Sequence, residues 1–263
     1  MKKLQQIGIW IALLAYLVIA LAFASEKRSG NICSKIQVHI NDSLEDKFVS
    51  EKYIAHFIHD LDQKVLGQPI KKVNIKKLEE TITNKPIIKN TEVYFTGTGI
   101  LHIEIDQRNP IVRVINHKGQ NYYLDREGAI ITLSSYYASH VLVASGSIYE
   151  FFEIPRTNWL KCPDKMDTQR NNSICEIFSM AKFINSDPFW KSQIEQIYLT
   201  KEGEYELIPR VGAHLIKLGP YENFREKMRN LRVFYKKGLN NVGWNQYLVI
   251  NLKYDNQIIC KKQ

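Results

Sequence analysis

Gly99-Ile100-Leu101-His102-Ile103-Glu104-Ile105-Asp106-Gln107-Arg108-Asn109-Pro110-Ile111-Val112-Arg113-Val114 holds the division of this chain. Leu101, Ile103 and Ile105 alternate with polar residues, the two-residue period of a strand with one buried face. Arg108-Asn109-Pro110 interrupts the pattern, since proline removes a backbone donor and restricts the residue before it. A second apolar run, Ile111–Ile115, begins at once. One strand therefore closes a unit and the next strand opens another.

Upstream of the break, Ile36–Ile40 alternates as a strand. Ser50 caps a predicted helix, with Ile54, Phe57, Ile58, Leu61 and Val65 on one face. Gly67 and Pro69 end it. Asn74 caps a shorter helix bearing Leu78 and Ile82, stopped by Pro86. Strands over Ile88–Phe95 and Ile100–Ile105 follow. The order is β-α-α-β-β over residues 34–109, and two helices can cover one face of such a sheet.

Downstream, residues 110–263 read as a β-rich unit with helices. Ile111–Ile115, Tyr122–Leu124 and Ala129–Ile131 form a meander through turns at Lys118-Gly119 and Glu127-Gly128. Val141–Ala144 is another strand. A polar stretch at 156–173 interrupts the pattern as a long loop or insertion. Ile174, Phe178, Ala181 and Ile184 predict a helix ending before Pro188. Strands over Ile194–Leu199, Tyr205–Ile208 and His214–Leu218 come next. Phe224, Met228, Leu231 and Tyr235 share a helix face, with Arg225, Arg229, Arg232 and Lys236 off it and Gly238 at its end. Leu248, Ile250, Leu252 and Tyr254 alternate. Asp255-Asn256 can then reverse the chain into Gln257–Cys260.

The N-terminus sets the compartment. Ile7 to Ala24 is 18 residues without a charge. At about 1.5 Å per residue it makes roughly 27 Å of helix, near the hydrocarbon thickness of a bilayer. Lys2 and Lys3 ahead of it favour a cytoplasmic tail over residues 1–6, although Lys27 and Arg28 blunt the asymmetry. The competing reading is a cleaved signal peptide, with Ala22-Phe23-Ala24 as its cleavage site. Either way the remainder is exported. The chain has 263 residues, a net charge of +9 and 44% hydrophobic residues. That composition excludes a disordered chain, a collagen, a coiled-coil rod and a polytopic membrane protein. Outside the cytoplasm the basic excess reads as attraction to anionic lipid or an acidic partner, not to nucleic acid.

Four cysteines admit three complete pairings. Cys162 and Cys175 are the nearest pair and flank a polar stretch, the expected local bridge. Cys33 and Cys260 read equally well as free thiols. Catalytic patterns are missing. Gly97-Thr98-Gly99 lacks the Lys-Ser/Thr of a phosphate loop and sits between strands. His56-x-x-His59 with Asp60 has no third ligand at motif spacing. Glu79-Glu80 reads as solvated charge, and no Gly-x-Ser-x-Gly elbow occurs. Asn41-Asp42-Ser43 and Asn171-Asn172-Ser173 match the glycosylation sequon, which has meaning only in a eukaryotic secretory host. No catalytic residue, metal ligand or cofactor is expected.

The ordered set resembles the FtsQ/DivIB bacterial cell-division proteins. The resemblance rests on Gly99–Val114, Tyr122–Gly128, Val141–Gly146, Val211-Gly212 to Leu218-Gly219, Phe234-Tyr235-Lys236, Asn251–Tyr254 and Gln257–Cys260. The later motifs are similar to Bacteroidetes-type members. Ile131-Thr132-Leu133 departs from the family, which often has a proline there. The resemblance implies an α+β chain: a single transmembrane helix at 7–24, a POTRA domain at 34–109 and a C-terminal β domain at 110–263. It implies a non-enzymatic bitopic scaffold of the divisome, in the inner membrane with its bulk in the periplasm and enriched at the septum. The implied partners are FtsB/FtsL-type bitopic coiled-coil proteins, linked to the septal peptidoglycan synthase. They would dock by strand addition along Tyr254, Asp255, Asn256, Gln257, Ile258, Ile259 and Cys260. The rivals are a POTRA-containing envelope-assembly protein and an anchored or secreted enzyme.

Overall fold

The structure is a computed structural model. It describes residues 9–19, 32–41, 54, 56–58, 65–133, 139–153, 159–162, 173–239, 243–254 and 257–262. The chain divides into two compact units, Met1–Gln107 and Arg108–Gln263.

In the first unit, residues 9–19 are helical with their apolar side chains exposed. Among the described residues no helix is long and apolar enough to cross a membrane. The rest of the predicted 7–24 span lies outside the described residues. Three strands follow: β1 (Lys35–Ile40), β2 (Ile88–Phe95) and β3 (Ile100–Gln107). Their order is β1-β3-β2, with β1 parallel and β2 antiparallel to β3. The alternation that predicted β3 buries Leu101, Ile103 and Ile105 completely. Helix α1 (Ile75–Thr83) is capped as expected, with the Asn74 side chain accepting from the Lys77 N–H at 3.0 Å. Its Leu78 and Ile82 are buried. Of the earlier predicted helix, residues 54 and 56–58 are described and helical, with Ile54 and Ile58 buried, whereas Val65, placed on the same face from sequence, is buried but not helical. His59 and Asp60 lie outside the described residues. Among the described residues no group of three His, Cys, Asp or Glu could hold a metal.

Among the described residues, the second unit is built on one sheet of nine strands. The meander forms as predicted, in β4 (Pro110–Ile115), β5 (Asn121–Asp125) and β6 (Ile130–Thr132). Next come β7 (Leu142–Gly146), helix α2 (Ser173–Ser186) and helix α3 (Pro188–Gln193). The sequence pattern did not single out α3, although Asp187 ahead of Pro188 carries its signature. The Asp187 carboxylate caps the Phe189 N–H at 3.0 Å, and proline suits the first helical turn. Strands β8 (Ile194–Leu199), β9 (Tyr205–Pro209) and β10 (Leu215–Gly219) precede helix α4 (Phe224–Phe234).

Gly238 does not end the last helix as expected. The chain runs on through a π-helical turn, Tyr235–Leu239, that buries Tyr235 and Leu239. Gly238 is needed for close approach instead, since a Cβ there would come 2.9 Å from the Phe234 ring. Strands β11 (Tyr247–Asn251) and β12 (Ile259–Lys262) finish the chain. The sheet order is β12-β11-β10-β9-β8-β7-β4-β5-β6. One continuous core joins the inner sheet face to the helices through Ile177, Met180, Trp190, Met228, Leu231 and Tyr235.

Candidate functional site

Among the described residues, the sheet order puts β12 at one margin, bonded to β11 and to no other strand. The two strands run antiparallel, with Val249 opposite Lys261, Ile250 opposite Cys260 and Asn251 opposite Ile259. One hydrogen bond orients the polar groups of this margin. The Leu252 N–H donates to the Lys217 carbonyl at 2.8 Å, across the parallel β10–β11 pair. Backbone groups alternate sides along a strand, so Ile250 and Leu252 address β10 while Val249 and Asn251 address β12. Ile259 and Lys261 answer them. The N–H and C=O of Cys260 therefore point away from β11, along the outer margin.

Side chains alternate too. Ile258 and Cys260 pack against the core, whereas Ile259 is 48% exposed and Lys261 is exposed on the same face; Lys262, at the end of the strand, is exposed too. Burial pushes the Cys260 thiol above its ordinary range, so it stays protonated. Before the strand, the Lys253 ammonium pairs with Glu204, and the carboxylate holds it above the usual lysine range.

The predicted docking segment is only partly a strand. Tyr254 is an exposed bend residue, and Gln257 and Ile258 are irregular. Asp255 and Asn256 lie outside the described residues. Ile259 and Cys260 are in β12, but the strand runs on through Lys261 and Lys262, which sequence reasoning left out. Their charge hides them from a hydrophobic pattern, yet lysines on a margin are a familiar guard against unwanted pairing.

Helix α4 stands beside this end of the sheet. A polar cavity of about 230 Å³ opens between them, lined by Asn223, Lys227, Tyr254 and Gln257 among others. Asn223 takes a left-handed φ of 57° ahead of α4, and its side chain makes no cap hydrogen bond. The predicted basic face of α4 is only partly free. Arg225 is exposed, but Arg229 pairs with Glu226 at 3.2 Å and Arg232 with Asp187 at 2.9 Å. The Arg232 guanidinium also lies 4.8 Å from the centre of the Phe189 ring, tying α4 to α3.

The family models match both units. A POTRA-like domain model matches residues 31–106, and the model described as FtsQ/DivIB, C-terminal related matches residues 109–261. No curated protein matches the chain. Both matched domains are of non-catalytic scaffold types, and the FtsQ/DivIB match implies a division-related protein of the bacterial envelope. With more than half of its length under the second model, the chain belongs to the FtsQ/DivIB family of cell-division proteins and carries a POTRA-like domain ahead of the part that defines the family.

Proposed function

We propose that this protein is a bitopic divisome scaffold that captures its partner by strand addition at β12. Residues 7–24 anchor it, the short tail stays in the cytoplasm, and both units are exported. An FtsB/FtsL-type partner supplies an extended segment that pairs with the outward groups of β12. That pairing links it to the septal peptidoglycan synthase. Main-chain hydrogen bonds give affinity, and alternate side chains against Ile259 and Lys261 on one face and Cys260 on the other give selectivity.

The observation that carries the reading is the marginal position of β12 among the described strands, with the Cys260 N–H and C=O turned away from β11. Proline is tolerated on a margin where its missing N–H would have faced solvent. Cys260→Pro therefore removes one outward donor while sparing the ladder to β11. It should abolish co-purification of the partner from membranes while the unfolding midpoint of the exported region changes little. Ile259→Pro breaks the ladder itself and should lower both. Cys260→Ser is the control that keeps capture. Undiminished capture by a folded Cys260→Pro chain would reject strand addition at this margin.

A further inference from the structure

The opposite margin of the nine-stranded sheet, β6, is not left bare. Trp159 forms an antiparallel bridge with Ala129, immediately ahead of β6. The Leu160 N–H donates to the Gly128 carbonyl at 2.7 Å. The Trp159 ring lies 4.8 Å from the Arg108 guanidinium, and Leu160 packs against the core. A short strap, residues 159–162, thus covers the start of this margin. At its end Cys162 is disulfide-bonded to Cys175.

The two sulfurs stand in unlike places. Cys162 is exposed. Cys175 is buried in the first turn of α2. That helix is held independently of the bridge by the buried Ile174, Ile177, Met180, Ala181 and Ile184. The disulfide therefore ties a peripheral strap to a fixed helix, and does not hold the helix itself. Without it, the described strap keeps its bridge to Ala129 with the Leu160–Gly128 hydrogen bond, the half-exposed indole beside Arg108 and the Leu160 side chain.

We propose that Cys162–Cys175 is a redox latch on the β6 margin, opened by thiol–disulfide exchange with an exported dithiol protein. A thiolate of the dithiol attacks the exposed Cys162 sulfur. The S–S bond breaks, and Cys175 leaves as a thiolate and takes up a proton. The second thiol of the reductant then resolves the mixed disulfide and releases Cys162 as a thiol. Two electrons and two protons pass from the dithiol to this chain, and the reductant ends as a disulfide. Exposure decides which sulfur is attacked. The helix N-terminus favours a leaving thiolate at Cys175. The Glu150 carboxylate opposes it, because it already accepts from the Ile174 N–H at 3.0 Å and the Ser173 hydroxyl at 2.7 Å. Addressability of Cys162, more than departure of Cys175, is what makes this bond a switch. The latch does not depend on partner docking at β12.

The test uses the full chain, oxidised and then reduced by a thioredoxin-type dithiol protein. Amide hydrogen exchange is followed at Leu160 and through α2. Reduction should speed exchange at Leu160 by about tenfold or more while Ile177–Ile184 stay protected. Cys162→Ser should reproduce the reduced state. A monothiol form of the reductant should be trapped on Cys162. Unchanged protection at Leu160, loss of protection through α2 along with it, or trapping on Cys175 would each overturn the latch.

Discussion

At Gly146 a single methyl group would keep two parallel strands apart. Its φ is 106°, and a Cβ there would come 2.2 Å from the Leu199 carbonyl oxygen across the β7–β8 pair. Backbone on both sides leaves nothing flexible to yield. Gly146→Ala should cost about 2–4 kcal/mol, combining left-handed strain with a steric clash, and urea unfolding will measure it. His214 gives a residue-scale prediction of another kind. It is buried just ahead of β10, with Nε2 2.7 Å from the Tyr235 hydroxyl. Burial pushes its pKa below the ordinary imidazole value, with the Trp244 backbone working the other way. The unfolded chain therefore binds the proton more readily than the folded one. Stability is complete above about pH 6.5 and falls as pH drops through that value towards the folded pKa, by at most about 1.4 kcal/mol per pH unit. Burial raises Glu176 instead, so its own contribution grows as pH falls through the carboxylate range. Thermal melts between pH 7 and 5.5 should show a declining midpoint, and His214→Gln, which keeps a hydrogen-bonding side chain, should flatten it. An identical slope in the variant would assign the decline to another group.

Among the elements, what could be read from sequence follows what each element needs. Strands β2, β3 and β8 begin where predicted because one face of each is buried; the two-residue period is intact along β3, while an irregularity after Ile88 in β2 and after Ile194 in β8 interrupts it. Helix α1 was legible from its cap and its two apolar residues. The short α3 was missed because six residues carry too little periodicity, and only Asp187-Pro188 marks it. The π turn after α4 was missed because Gly238 looks like a helix stop, whereas the Phe234 ring, four residues earlier in the same helical run, lies over that glycine and the turn continues through it to Leu239. The last strand shows the limit most clearly. Hydrophobicity places it over Gln257–Cys260, but the hydrogen-bond ladder runs over Ile259–Lys262. A margin strand pairs on one side only, so exposed lysines such as Lys261 and Lys262 extend its ladder past the apolar run. The candidate site was therefore legible as a place in the chain order, while its outward-facing groups emerged only from the β10–β11 pairing.

Over the whole molecule, the two units are joined by the shortest of connections. Strand β3 ends at Gln107 and β4 begins at Pro110, so only Arg108 and Asn109 lie between them. Arg108 is not spare chain. Its guanidinium donates to the Asp125 carboxylate at 3.0 Å, and both side chains are largely buried, 13% and 5% exposed. The same carboxylate accepts from the Glu127 and Ala129 N–H groups at 2.8 and 2.7 Å, holding the turn between β5 and β6. A buried carboxylate stripped of its cation costs about 3–5 kcal/mol. The edge of the second unit is consequently a matter of one residue. A fragment over 107–263 keeps Arg108 and should unfold cooperatively on its own, because the core of that unit is built from its own sheet and helices. A fragment over 110–263 begins at the more obvious break, the proline, yet leaves Asp125 buried without its partner. It should be less stable by about 3 kcal/mol. Asp125→Asn in the shorter fragment should recover part of the loss, since a neutral amide removes the buried charge and its oxygen can still accept from the two N–H groups. Urea denaturation of the three fragments checks the order: equal midpoints for the two starting points would mean that Arg108 belongs to the connection alone.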